Sequence, residues 1–416
     1  MPVHSIRTAH GQAEKQLVKP HVLERGVQIF KRVASSFERR VKMKTTASKH
    51  RRQIRYAVVG LGHIAQVAVL PAFAHARKNS RLTALVSDDP QKLKTLGRRY
   101  HVDHLFSYRE YDDCLRSGMV DAVYIALPNH LHADYSVRAA RAGIHVLCEK
   151  PMAVTEKECR AMIRAAERGG IKLMVAYRLH FEEANMTAVR IVRSGKLGNP
   201  RFFTSSFSMQ VRPDNIRTDK EKGGGTLYDI GIYCINAARY LFGAEPTEVF
   251  AFSSANTKDT RFQEIDEMTS ALLRFPDGRL AQFSSSFGAA DVASYRVVGT
   301  KGDVRLDQAY EYVYPIDLYV TIKGKTRKQT FRKRDQFAPE LEYFSSCILN
   351  NQTPEPSGTE GIADVRIIEA LYRSAKRRRR ITIEPVRQTK RPSIKQTKHR
   401  PAVDKPPLVH AESAAL

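Results

Sequence analysis

Residues 54–73 read IRYAVVGLGHIAQVAVLPAF, and this stretch decides the fold. The apolar run Tyr56–Val59 predicts a strand; Gly60-x-Gly62-x-x-Ala65 follows at once, with an apolar helix pattern behind it. Gly60 permits a tight turn, Gly62 lets backbone approach a pyrophosphate, and small Ala65 lets helix and strand pack closely. The helix start then offers free N–H groups and the positive end of its dipole to phosphate. A glycine motif alone is weak evidence. Here it sits between a strand and a helix, the context that gives it meaning. Gly60, Gly62, His63, Ile64 and Ala65 are therefore the first cofactor-binding candidates.

The neighbouring segments extend the same pattern. RLTALVS predicts a second strand, PQKLKTLGRRY a helix and AVYIALP a third strand, the alternation expected of a parallel sheet. An acidic residue ending the second strand would hold the ribose 2′-OH of NAD and repel the 2′-phosphate of NADP. Ser87 occupies that position here, with Lys92 and Lys94 close behind, which favours NADP. NAD is the alternative if Asp88 turns inward; the plainer reading of Asp88 is a loop carboxylate facing solvent.

Leu127, Pro128 and Asn129 end the AVYIALP strand on the edge where open parallel sheets bind ligands. His132 is added to this cofactor-side set, although His130 and His132 are more often helix-start or core histidines. The strand in HVLCEKPMA delivers Glu149 and Lys150 to the same edge, directly before Pro151; the plain alternative is a surface Lys–Glu pair. Further on, GGGTLYDIGIYCINAARYLFG (Gly223–Gly243) places Asp229 one helical turn before Tyr233, on one face.

Composition bounds the rest. A chain of 416 residues exceeds what one core usually serves, so two domains plus tails are expected. Five scattered cysteines show no CxxC pair and no metal-ligand spacing, which argues for reduced thiols and against a zinc site, with no metal expected. The net charge of +26 belongs mainly to the ends: residues 1–53 carry 13 Lys/Arg against 3 Asp/Glu, and 376–416 carry 12 against 3. Basicity confined to tails does not mark the body as a nucleic-acid binder. The segment VLERGVQIFKRVASSFERRV reads as a basic amphipathic helix, a membrane-surface or partner arm, or residues preceding a true start at Met43. The tail from Glu384, with little to bury, is expected to be disordered. No export signal and no transmembrane run is visible, so a cytoplasmic location is expected.

GLGHIA, PNHLHA, CEKPMA and GGGTLYDIGIY, in this order and spacing, resemble the Gfo/Idh/MocA oxidoreductase family, and within it the glucose–fructose oxidoreductase branch. The likeness runs from about Ile54 to Ile383. It implies an N-terminal Rossmann domain followed by an α+β domain with a large, mostly antiparallel open sheet. The alternating segments TEVFAFSS, MTSALLRF, RLAQFSSSF, SYRVVGT and DLYVTI, broken by the turn Pro276-Asp277-Gly278, support this independently. The expected organisation is a basic extension (1–53), the Rossmann domain (54–175), the α+β domain (176–383) and the basic tail (384–416).

The resemblance implies a catalytic set of Lys150, Asp229 and Tyr233. It also implies cofactor contacts that include Ser87, Lys92, Lys94 and Arg178, a substrate pocket that includes Tyr177 and His180, and a dimer or tetramer formed through the open sheet. Asp88 departs from the branch pattern, and the periplasmic location known in that branch would need an export signal not seen here. The chemistry implied is hydride transfer between a sugar carbon and nicotinamide. Tyr233 would act as base, with Lys150 favouring its phenolate and Asp229 holding the substrate hydroxyl. The reading is oxidation of an aldose at C1 to the lactone, coupled or not to reduction of a ketose. The alternatives are a sugar or inositol dehydrogenase that releases its cofactor, and a non-catalytic NADP- or sugar-sensing regulator on the same fold.

Overall fold

The structure, a computed structural model, describes residues 52–387 and 390–416. The basic segment 1–51 lies outside the described residues. Six parallel strands form the first sheet: β1 (Ile54–Val59), β2 (Ser80–Val86), β3 (His104–Phe106), β4 (Ala122–Ile125), β5 (His145–Glu149) and β6 (Leu173–Ala176). Their spatial order is β3-β2-β1-β4-β5-β6, so the order reverses beside β1, where such sheets bind dinucleotides. β4 and β6 are buried at every position, as a sheet covered on both faces requires.

The second sheet has nine strands in the order β14-β13-β12-β11-β7-β10-β9-β8-β15. The strands anticipated from sequence are β8 (Glu248–Ser254), β9 (Met268–Arg274), β10 (Leu280–Ser286), β11 (Val292–Gly299) and β13 (Ile316–Ile322). The others are β7 (Pro200–Ser208), β12 (Gly302–Asp307), β14 (Lys325–Phe331) and the short β15 (Ile381–Thr382). Every pairing is antiparallel except β7 with β10. β9 and β10 alternate buried and exposed residues, so one face carries the core. The other face leaves Phe202, Phe252, Leu272 and Leu280 more than a third exposed.

Two sequence expectations are corrected. The helix Phe337–Leu349, assigned to the second domain, packs on the first: Phe337, Leu341 and Phe344 join the core cluster of Ile54, Tyr56, Val58 and Leu85. Tyr56 Oη and Ser345 Oγ seal that contact at 2.8 Å. An apolar helix face does not encode which sheet it will cover.

The described residues of the C-terminal tail, 384–387 and 390–416, lie bonded against the body. Its cations find carboxylates on the body, Arg391 on Glu245 and Lys398 and Arg400 on Glu342, and the His410 ring meets Asp89. Gln396 also donates to the Glu355 carboxylate at 2.8 Å. Composition counted what the tail has to bury and not what it can pair with.

Candidate active site

The glycine loop closes β1 on the first sheet's carboxyl edge. Gly60 has φ +91°, and a Cβ there would lie 2.6 Å from the Ala126 carbonyl oxygen, so the position takes only glycine. A Cβ at Gly62 would meet nothing within 4 Å; it would stand in the open cleft where a pyrophosphate must approach backbone. His63 and Ile64 are half-buried beside it, whereas Ala65 is sealed inside and serves by packing. The helical segment after the loop opens with a π turn, Ala65–Val69. The loop's shape, open above Gly62 and pinched at Gly60, fits a dinucleotide phosphate.

At the end of β2, Ser87 is buried and Asp89 caps the helix Pro90–Tyr100 by accepting from Gln91 N and Lys92 N at 2.9 and 3.0 Å. Asp88 is exposed and turned away, accepting from the Tyr108 N–H at 2.7 Å. Lys92 reaches Asp89 at 3.9 Å. Lys94 is exposed two residues on, about 200° round the helix axis. It therefore does not share a face with Lys92, and the expected pair of ammonium groups reduces to one.

The third part of the site is built on the run behind the glycines. Gly223 and Gly225 have φ of +77° and +116°, and a Cβ on Gly223 would press 2.4 Å from Val154 and 2.9 Å from Asn129. Asn129 also donates to the Gly223 carbonyl at 2.8 Å. The glycines thus join the two sheets' loops. They also hold the preceding loop: Gly224 N bonds Asp219 O and Gly225 N bonds Arg217 O, each at 2.9 Å. Leu227–Gly231 then form a π turn before the α-helix Ile232–Phe242. Such turns are frequent at functional sites, and here Asp229 and Tyr233 fall on either side of the junction. Gly243 ends the helix with φ +61°, the left-handed cap that glycine favours.

Lys150, Asp229 and Tyr233 converge. Lys150 Nζ donates to the Asp229 backbone oxygen at 2.8 Å and to its Oδ1 at 3.2 Å, and stands 4.9 Å from the Tyr233 ring centroid. Arg217 Nε grips the other carboxylate oxygen of Asp229 at 2.6 Å. Arg178 lies 5.1 Å from the same phenol ring and 5.1 Å from that of Tyr312. Burial alone would raise the Asp229 carboxyl, but Arg217 and Lys150 overcome it and bring it down to about 2. Burial likewise pulls Lys150 down, yet Asp229, Tyr233 and Glu149 hold its ammonium above the usual range. Both groups are therefore charged at neutral pH. Glu149 behind them accepts from Tyr124 Oη at 2.8 Å, and its carboxyl is raised by burial.

Other expected site residues lie elsewhere. Both ring nitrogens of His132 face carbonyls, Pro151 O at 2.8 Å and Leu127 O at 2.9 Å, and the residue is fully buried. It ties two cleft loops together. Tyr177 is buried with its hydroxyl on Asp364 at 2.6 Å. His180 is buried between Glu355 and Asn236, at 3.1 and 2.8 Å. Both side chains are held by buried partners, and the sequence pattern AYRLHF does not say which side chains around the 3₁₀ turn point inward. Arg217 is the residue that sequence reasoning missed. It sits in MQVRPDNIRTDKEKGG among other basic residues, and only the fold singles it out, through its bond to Asp229 and the one its carbonyl accepts from Gly225 N. Among the described residues, no group of three His, Cys, Asp or Glu is arranged to hold a metal, and no helix is long and apolar enough to cross a membrane.

Comparison with known proteins agrees with this layout. Residues 54–177 match the oxidoreductase family with an NAD-binding Rossmann fold, and residues 185–305 match the GFO/IDH/MocA C-terminal domain. The chain is 32% identical over 353 residues to a D-xylose 1-dehydrogenase [NADP(+)] of Haloarcula marismortui, covering 82% of this chain and 96% of the relative. The aldose-aldose oxidoreductase of Caulobacter crescentus, solved with glycerol, superposes with a TM-score of 0.77 at 40% identity, covering 80% of this chain and all of that one. The 3-ketoreductase KijD10 of Actinomadura kijaniata, solved with NADP and TDP-benzene, gives 0.71 at 26% identity, covering 78% of this chain and 98% of that one.

Proposed function

We propose that this chain, which belongs to the Gfo/Idh/MocA oxidoreductase family, is an NADP-dependent enzyme that oxidises a cyclic aldose at C1 to the lactone. The observation that carries the reading is one cluster holding a phenol, an ionised carboxylate and fixed cations at the mouth of a dinucleotide cleft. Bound NADP supplies the hydride acceptor. The chain's own residues handle the proton and the charge. Tyr233 takes the proton of the sugar hydroxyl in oxidation and returns it in reduction. Lys150 and Arg178, against its ring, stabilise the negative charge that develops on the phenol or substrate oxygen. Asp229, kept ionised, accepts a hydrogen bond from a neighbouring sugar hydroxyl and orients the ring.

NADP is favoured over NAD because Ser87 ends β2, Lys92 stands near, and Asp88 faces the Tyr108 N–H, away from the ribose position. Reduction of a ketose in the same site would return the hydride without cofactor exchange; ketose consumed in proportion to lactone formed would reveal it. The half-exposed Phe202, Phe252, Leu272 and Leu280 support a homo-oligomer through the open sheet, which light scattering tests. The five unpaired, buried cysteines support a reducing, cytoplasmic setting.

The deciding experiment screens aldoses and polyols against NADP⁺ and NAD⁺ by absorbance at the reduced nicotinamide band. Turnover of an aldose with NADP⁺, abolished in Lys150→Ala, is the expected result. Turnover of polyols only, or normal turnover by Lys150→Ala, would refute the assignment.

A further inference from the structure

The C-terminal segment takes no part in the site described so far, yet it is bonded to both sides of it. On the Rossmann side, the side-chain amide of Gln66 pairs with both backbone groups of Val409: Val409 N to Gln66 Oε1 at 2.8 Å, and Gln66 Nε2 to Val409 O at 2.8 Å. Gln66 is fully buried, and its Nε2 also donates at 2.8 Å to the carbonyl of Leu61, the residue between the two loop glycines. His410 Nδ1 meets Asp89 Oδ2 at 2.9 Å, on the cap of the helix that follows the ribose-reading strand end. Arg99 donates to Pro407 O at 2.8 Å.

On the other side, the bonds go to the strand exit of the second sheet. Arg212 N donates to Ala414 O at 2.9 Å, Arg212 Nε to Ala415 O at 3.0 Å, and Leu416 N to Gln210 O at 3.0 Å. Five residues beyond Arg212 the same loop places Arg217 on Asp229. From Val409 to Ala414 the chain advances five residues, at most about 17 Å when extended. It therefore crosses directly between the glycine loop and the loop that carries Arg217. Lys405, just before the crossing, brings positive charge to the glycine loop: burial, then Lys405 and Arg217, hold the His63 imidazole below its usual range.

From these contacts we propose that residues 405–416 form a strap over the dinucleotide cleft, which must lift for NADP(H) to enter or leave. The inference rests on the reading that this cleft binds that cofactor. Its parts suit a catch. The anchors to the first domain are the two amide bonds of Gln66, one guanidinium–carbonyl bond, an exposed imidazole–carboxylate contact and the partly buried Val409 side chain, few enough for the segment to detach without unfolding what lies beneath. The amide lock on Val409 fixes its position when it is down. Lys405 brings positive charge near the glycine loop, so phosphate bound there favours the closed strap.

The test compares full-length protein with a chain ending at Asp404, and with the double variant Val409→Pro, His410→Ala. The Pro substitution deletes the N–H donated to Gln66, and the Ala substitution deletes the imidazole on Asp89. NADPH release is timed by stopped-flow fluorescence on dilution into excess NADP⁺. The strap predicts release at least tenfold faster in both altered proteins, with association faster as well and the apo melting temperature little changed. If the shortened chain fails to fold, the double variant carries the test. Binding by all three proteins with equal release rates would overturn the strap and leave the cofactor reading intact. No binding of NADP(H) or NAD(H) by any of them would overturn both.

Discussion

The helical run from Leu227 to Phe242 carries two clusters of charge, one at each end, and they are opposites. At its C-terminal half Arg239 is wholly buried, and all five guanidinium N–H donors are spent: two on Glu245, two on Glu360 and one on Asp364. Asn236 bridges Glu360 and Asp364 from one turn away, at 2.9 and 2.8 Å. At the N-terminal end Asp229 is partly open, and Lys150 has three donors of which two are engaged, both on Asp229. In one network every guanidinium donor is spent; in the other the ammonium keeps a bond to give. Ion pairs alone do not mark a catalytic site. Spare bonding capacity is what distinguishes the proposed site, and the sealed network beyond it holds the helix in place.

The contrast is broken most directly at its open end. Tyr233→Phe should lower kcat by about 10²–10⁴-fold while the urea midpoint stays within error; a parallel loss of stability would mean the phenol is structural. At the sealed end the order reverses. Arg239→Met should cost about 3–5 kcal/mol, because it leaves buried carboxylates uncompensated. Urea titration reads that loss, and the activity of the molecules still folded should be near normal. Between the two lies Arg217. Arg217→Met should reduce kcat/KM by about 10- to 100-fold, the worth of a hydrogen bond to a charged group, with Arg217→Lys recovering part. Unchanged kinetics would return Arg217 to the solvated loop it resembles in sequence.

The smallest effect is in the pH dependence, and its sign differs between the two ends. Asp229 sits near 2 in the folded chain, below its ordinary value, because Arg217 and Lys150 outweigh burial. Its stabilisation is present above about pH 4 and is lost as pH falls toward 2, roughly 2 kcal/mol in all. Asp364 is pushed the other way, to about 6, by burial against the pull of Arg239 and with Glu360 beside it. Its contribution is full below about pH 4 and is lost as pH rises through 6. Melting temperatures across pH 2–7 should therefore lose the acid-side slope in Asp229→Asn and the pH 4–6 slope in Asp364→Asn. The same slope lost from both variants would erase the distinction.

Local order in this chain was legible wherever a rule of backbone geometry applied. Gly60 must be glycine, Gly243 must cap, and Lys150 and Asp229 fall at element ends that the apolar pattern marks. The buried partners of Tyr177, His180 and His132 were not legible, because a polar residue in an apolar setting reads alike whether it lines a pocket or satisfies a core. Lys94 falls on a different face of its helix from Lys92, which spacing could have shown.

What the sequence determined by itself was the strand–glycine–helix unit and the two-sheet division, because these follow from φ/ψ limits and hydrophobic period; the converging trio came from the family resemblance its motifs carry. Tertiary structure alone decided three other things: Arg217 on Asp229, the return of Phe337–Leu349 to the first sheet, and the course of the basic tail across the cleft. Each depends on a partner from 12 to more than 300 residues away. Charge pairing and packing at such range obey distance in space, and nothing in local pattern records it.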